Sequence, residues 1–248
     1  MSHIHIPDGV LPFYWWLGGL ILTFIVLYFL MAKMDRFEVQ SRVPRAAMAA
    51  AFMLIAMSVP LGIIPLHLSM AVLTGILVGP GLGFLAVFVV NLILALVGHG
   101  GLTIVGLNTL VIGTEVIIGS VLFQRLARKN TVHKAAFLSV IPALIVSMVL
   151  MVGIVGTSAG LAEAVPVHDC DHDHGQEHEH EDEHEEHEHG VHLDDVDEAV
   201  GDVHIFTLTG WGALFLILLI GIILESGITA LIVRYIDKIK PEFIYKGE

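Results

Sequence analysis

What this chain can fold into is limited first by its apolar runs, most of them near twenty residues, parted by short segments that hold its basic residues. The first run, Phe13 to Ala32, has about the 20 apolar residues that a bilayer core requires of a helix. Trp15 and Trp16 near its start fit an aromatic belt at the membrane surface. A second run goes from Ala46 to about Ile64 and ends at Pro65, just before His67. From Leu68 to Val97 the run is too long for one helix and is broken at Gly79-Pro80-Gly81, which predicts two antiparallel segments. Further runs, about Leu102 to Phe123, Ala135 to Val155 and Phe206 to Val233, bring the expected spans to seven. The predicted fold is therefore all-α: a polytopic membrane protein of about seven transmembrane helices.

The twelve basic residues give this bundle a direction. Lys33, Arg36, Arg42 and Arg45 follow the first run; Arg125, Arg128, Lys129 and Lys134 follow the fifth; Arg234, Lys238, Lys240 and Lys246 follow the last. Seven crossings put all three groups on one side. Basic loops stay cytoplasmic, so the N-terminus is expected outside, the C-terminus inside, and the chain in the plasma membrane. His67, His99 and the segment after the sixth span then fall on the outer side with the N-terminus.

That segment distorts the composition. The chain has 25 acidic and 12 basic residues, a formal charge of −13. Seventeen of the acidic residues lie between Glu163 and Asp202, leaving 8 against 12, a membrane body of +4. The expected organisation is 1–160 for the terminal segment and six spans, 161–205 for an external His/Asp/Glu-rich loop, and 206–248 for the last span and basic tail. The loop holds nine of the fifteen histidines: His168, His172, His174, His178, His180, His184, His187, His189 and His192. With almost no apolar residues it cannot bury a core and is expected to be disordered. His-rich tracts bind divalent transition metals at many weak sites, so it reads as an accessory metal-collecting loop. His180-Glu181-Asp182-Glu183-His184 matches a metalloprotease pattern, but that chemistry needs a helix with a buried face. The sequence contains no phosphate-cradling loop and offers no helical ligand motif. It reads as a transport protein and not an enzyme, with lipid and not nucleic acid around it. The single cysteine, Cys170, excludes an internal disulfide.

The opening stretch, Met1-Ser2-His3-Ile4-His5-Ile6-Pro7-Asp8-Gly9-Val10, has no basic residue before the apolar run, unlike a secretory signal, and is expected to be kept. An α-amine, a backbone amide and an imidazole can lie in one plane, an arrangement that suits Ni(II) or Cu(II). Met1-Ser2-His3 can supply four nitrogens by itself, and Ser2-His3 can supply three if Met1 is removed.

His5-Ile6-Pro7-Asp8-Gly9-Val10-Leu11-Pro12, the stretch Leu61 to His67, and Gly98-His99-Gly100-Gly101-Leu102-Thr103-Ile104-Val105-Gly106-Leu107-Asn108 resemble the CbiM/NikM family. Its members are substrate-binding membrane subunits of energy-coupling-factor ABC transporters for cobalt or nickel. The resemblance implies a four-nitrogen site completed by His67, and it runs through the membrane body in order. It leaves open whether His3 or His5 is the primary ligand, because here four residues precede His5, whereas in the family the matching histidine follows the initiator Met. His99 stands where relatives more often have another polar residue and is a less certain ligand; Thr103 and Asn108 are expected in supporting hydrogen bonds. The implied partners are a coupling transmembrane subunit, cytoplasmic ATPase subunits and a small accessory membrane subunit. The rival reading, a self-sufficient carrier or channel for zinc, nickel or cobalt, would need ionisable groups along a path through the membrane. Glu115 and Glu225 are the candidates, each needing a partner or a proton inside an apolar span.

Overall fold

A computed structural model of the chain describes residues 13–58, 67–98, 101–159 and 211–244. These residues form seven α-helices and no strand: α1 (Phe13–Ala32), α2 (Arg36–Ser58), α3 (Ala71–Val78), α4 (Pro80–Leu96), α5 (Val105–Ala127), α6 (Val132–Ala159) and α7 (Trp211–Ile239), then a 3₁₀ turn at Pro241–Phe243. The all-helical expectation holds. Four helices are long and apolar enough to cross a membrane: α1, α5, and the parts Val132–Ile154 of α6 and Leu218–Ile239 of α7. The helix α4 is apolar but has only 17 residues. The helix α2 begins ten residues earlier than its apolar run, because Arg36 to Arg45 belong to it as a polar first half.

The break in the third run is real but unequal. At Gly79, φ 88° and ψ 170°, the chain takes a conformation open to glycine and closed to most side chains. Pro80 then starts α4 at the position where its missing N–H costs nothing. The hairpin is tight: a Cβ on Gly83 would stand 3.3 Å from the Gly75 Cα. With 8 residues, α3 is about 12 Å long, which is less than half of a bilayer core. The two segments predicted from the sequence are thus a half-helix and its longer return.

Burial ranks the helices by position. In α5, 67% of the spanning stretch is buried against neighbours, while in α1 the share is 11%. The short helix α3 is buried along nearly its whole length, from Ala71 to Ile76 and again at Val78. The largest apolar cluster joins α3, α5, α6 and α7 through Leu73, Ile76, Phe123, Val140 and Val233. A second joins α2, α4 and α5 through Met53, Met57, Val87, Val90 and Val116. The outward faces of α1 and α7 present Phe24, Phe29, Leu231 and Tyr235, the surface a helix shows to lipid.

Candidate functional site

His67 to Met70 run as non-helical chain directly into α3, with Leu68, Ser69 and Met70 buried and His67 half-buried. Two Cα–Cα steps of 3.8 Å keep His67 within about 8 Å of Ser69. His67 leads into the entry of the half-helix; residues 59–66, which join it to α2, lie outside the described residues.

The start of α3 is unusual in its backbone. Met70 has φ 52° and ψ 16°, the left-handed region, and is the only non-glycine residue with positive φ among the described residues. Such a residue costs on the order of 1–3 kcal/mol and persists where the surroundings over-determine it. Here the surroundings are a carboxylate. The Ser69 and Met70 N–H groups donate to Glu225 on α7, at 3.3 Å to Oε2 and 3.1 Å to Oε1. Successive N–H groups turned to one side by a left-handed residue form an anion-binding nest, and Glu225 fills it. The Ala71 N–H donates to Ser69 Oγ at 3.2 Å, and the Thr74 N–H to the Met70 carbonyl at 3.0 Å, where regular helix begins.

Ser69 ties a second carboxylate to the first. Its Oγ lies 2.6 Å from Glu225 Oε1 and 3.0 Å from Glu115 Oε2 on α5. Both carboxyl groups thus meet at one hydroxyl. Glu115 and Glu225 are fully buried and stand near the middle of their helices. On α6, the Ser147 hydroxyl donates to the Val111 carbonyl, one turn before Glu115 (3.1 Å). The group therefore joins α3, α5 and α7, with α6 beside it.

A separate, uncharged set lies toward the start of α5. Thr23 Oγ1 on α1 is 2.8 Å from the Gly106 carbonyl and 2.9 Å from the Gly19 carbonyl. The helices α1 and α5 touch there: a Cβ on Gly106 would lie 2.5 Å from the Leu20 Cα. Asn91 Nδ2 on α4 donates to Thr109 Oγ1 on α5 at 3.3 Å, and its Oδ1 is buried with no hydrogen-bond partner. Asn108 is buried in the first turn of α5, as a residue within an apolar run was expected to be, whereas Thr103 is exposed in the preceding turn.

Met1, Ser2, His3, His5, His99 and the loop histidines from His168 to His192 lie outside the described residues. Among the described residues no group of three His, Cys, Asp or Glu gathers as a metal cage. Of the histidines expected at the site, His67 falls among the described residues. The sequence flagged His67, Glu115 and Glu225 separately and missed Ser69 and Met70. A lone serine two places after a histidine, at the head of an apolar run, was the available signal.

No curated protein matches the chain. Two solved structures resemble it, one titled as a truncated transition metal transporter and the other as a transition metal transporter. Each has a TM-score of 0.64 at 18% identity and covers 95% of this chain; 99% of the first and 93% of the second are matched. At that identity they establish the fold. The family model for the cobalt uptake substrate-specific transmembrane region matches residues 5–243, nearly the whole length, and by that match the chain belongs to the CbiM family.

Proposed function

We propose that this protein is the metal-binding membrane subunit of an energy-coupling-factor ABC transporter that takes up Co2+ or Ni2+. The seat of His67 carries the reading. It is half-buried and two residues from Ser69, which hydrogen bonds to Glu225 and Glu115 hold in place just before α3. An imidazole on so fixed a backbone is suited to be one corner of a site whose other nitrogens come from Met1, Ser2, His3 and His5. His99 is a further candidate, with Thr103 and Asn108 in support. The N-terminus lies outside in this reading and the three basic segments inside, in the plasma membrane. Metal captured by the histidine-rich loop passes to the tighter site. The chain carries no nucleotide-binding motif, so transport draws on a coupling membrane subunit and cytoplasmic ATPase subunits, with a small accessory membrane subunit beside them.

The burial of Glu115 beside Glu225 favours a second reading, a self-sufficient carrier with a carboxylate pair on its path. Against it, both Glu225 oxygens already serve the α3 backbone, as a cap does. Uptake separates the two. Metal accumulation should require the ATPase subunits and their hydrolysis; steady accumulation without them, driven by a proton gradient, would establish the carrier. For the site itself, titration of Ni(II) or Co(II) into the full chain should show one tight phase and several loose ones. Deleting Val167–Asp202 should remove only the loose phases. Acetylating the α-amine should weaken the tight phase far more than that deletion does. Loss of the tight phase with the loop would overturn the assignment.

A further inference from the structure

We infer that Glu225, through Met70 and Ser69, positions His67 for the metal; this rests on the assignment of His67 as a ligand. Three facts lead there. His67 is three residues from a left-handed Met70, a conformation that a methionine leaves unless something holds it. What holds it is Glu225, whose carboxylate takes the N–H groups of both Ser69 and Met70 and the Ser69 hydroxyl. The chain before Met70 is not helical, so the dihedral angles at Met70 and Ser69 set the direction in which His67 leaves the bundle.

The tolerances are unequal in scale. Metal–nitrogen distances must be right within about 0.2 Å. If Met70 relaxed to negative φ, the chain upstream would swing on an arm of three residues, about 10 Å long. A swing of a few degrees on that arm exceeds the tolerance. Glu115 contributes by holding Ser69 from the opposite side, at 3.0 Å from its hydroxyl. Glu225 therefore acts on the metal only through the backbone it orients, and it is a positioning residue, not a ligand.

The test uses the full chain in detergent. Ni(II) affinity, the visible absorption band of bound Ni(II) and amide hydrogen exchange over residues 67–72 without metal are compared among variants. His67→Ala should abolish the tight phase; if it does not, the site assignment is wrong and Glu225 is not at issue. With that control met, Glu225→Ala should weaken tight binding about tenfold or more. It should also shift the nickel band at saturation and speed exchange at Ser69 and Met70. A residue that only stabilised the bundle would lower the folded fraction and leave the band of bound nickel in place. Met70→Gly, which adopts positive φ without strain, should restore part of the affinity lost in Glu225→Ala. If Glu225→Ala does not fold, Glu225→Gln, which keeps one acceptor oxygen, takes its place, alone and with Met70→Gly, with a several-fold loss expected. Wild-type affinity and an unshifted band in the folded Glu225 variant would overturn the inference. So would failure of Met70→Gly to recover any affinity.

Discussion

The bundle has two buried polar nodes, built on opposite principles. Around Gly106 the groups are neutral: a threonine hydroxyl on a backbone carbonyl, and an amide on a second threonine. Around Ser69 they are carboxylates that gather N–H and O–H donors from a helix start. The first node joins three regular helices, α1, α4 and α5, whose backbones are already satisfied, so its hydrogen bonds add little beyond close packing. The second supplies what the backbone lacks, since the start of an eight-residue helix buried among apolar side chains has orphan N–H groups and no water to take them. Small residues suffice where helices cross. A charge is needed where a helix begins inside.

That contrast can be broken at five points of decreasing size. Glu225→Ala leaves the Ser69 and Met70 N–H groups unsatisfied, at about 1–3 kcal/mol each. Chemical unfolding in detergent should lose about 2–5 kcal/mol, the largest effect at either node. Gly106→Ala comes next, because the obstacle is the Leu20 backbone at 2.5 Å, which cannot rotate away. Overpacking of that kind costs about 1–3 kcal/mol, and the same measurement should report it. Gly19→Ala should cost less: the nearest atoms belong to the Leu107 side chain, which can turn. Thr23→Val removes one shared hydroxyl from two carbonyls of intact helices, and interhelical bonds in membranes average about 0.6 kcal/mol. Its loss should stay under about 1.5 kcal/mol. Asn91→Ala should matter least, within about 1 kcal/mol, since half of that amide is already without a partner. A Thr23 or Asn91 variant as damaging as Glu225→Ala would erase the distinction between the nodes.

The sequence was legible where hydropathy and helix coincide. Phe13–Ala32 was read with its final bounds, for the apolar run and the helix end together at Lys33. For α2 they part company: Arg36 to Arg45 continue the helix beyond the apolar stretch, and hydropathy reports the bilayer and not the backbone. Gly79-Pro80 announced a break correctly. Nothing in Leu68-Ser69-Met70 announced that helix would start only at Ala71, because apolar residues there fit a helix and a buried extended chain equally well. Glu115 and Glu225 could be marked as charges needing partners. Their pairing through Ser69 could not be read, since it depends on which faces of α5 and α7 meet α3. The contribution of His67 to the candidate site was read from its resemblance to the family; its depth came from the path of the chain.

Glu225 also sets an order of assembly. It lies 156 residues after Ser69, on α7. At about 5–20 residues per second of synthesis, the start of α3 waits roughly 8–30 s for its cap. During that interval the earlier helices are in place around a start that is still incomplete. The entry to the bundle is finished from its far end, so a ribosome stalled before Trp211 leaves every preceding span made and the His67 segment unset.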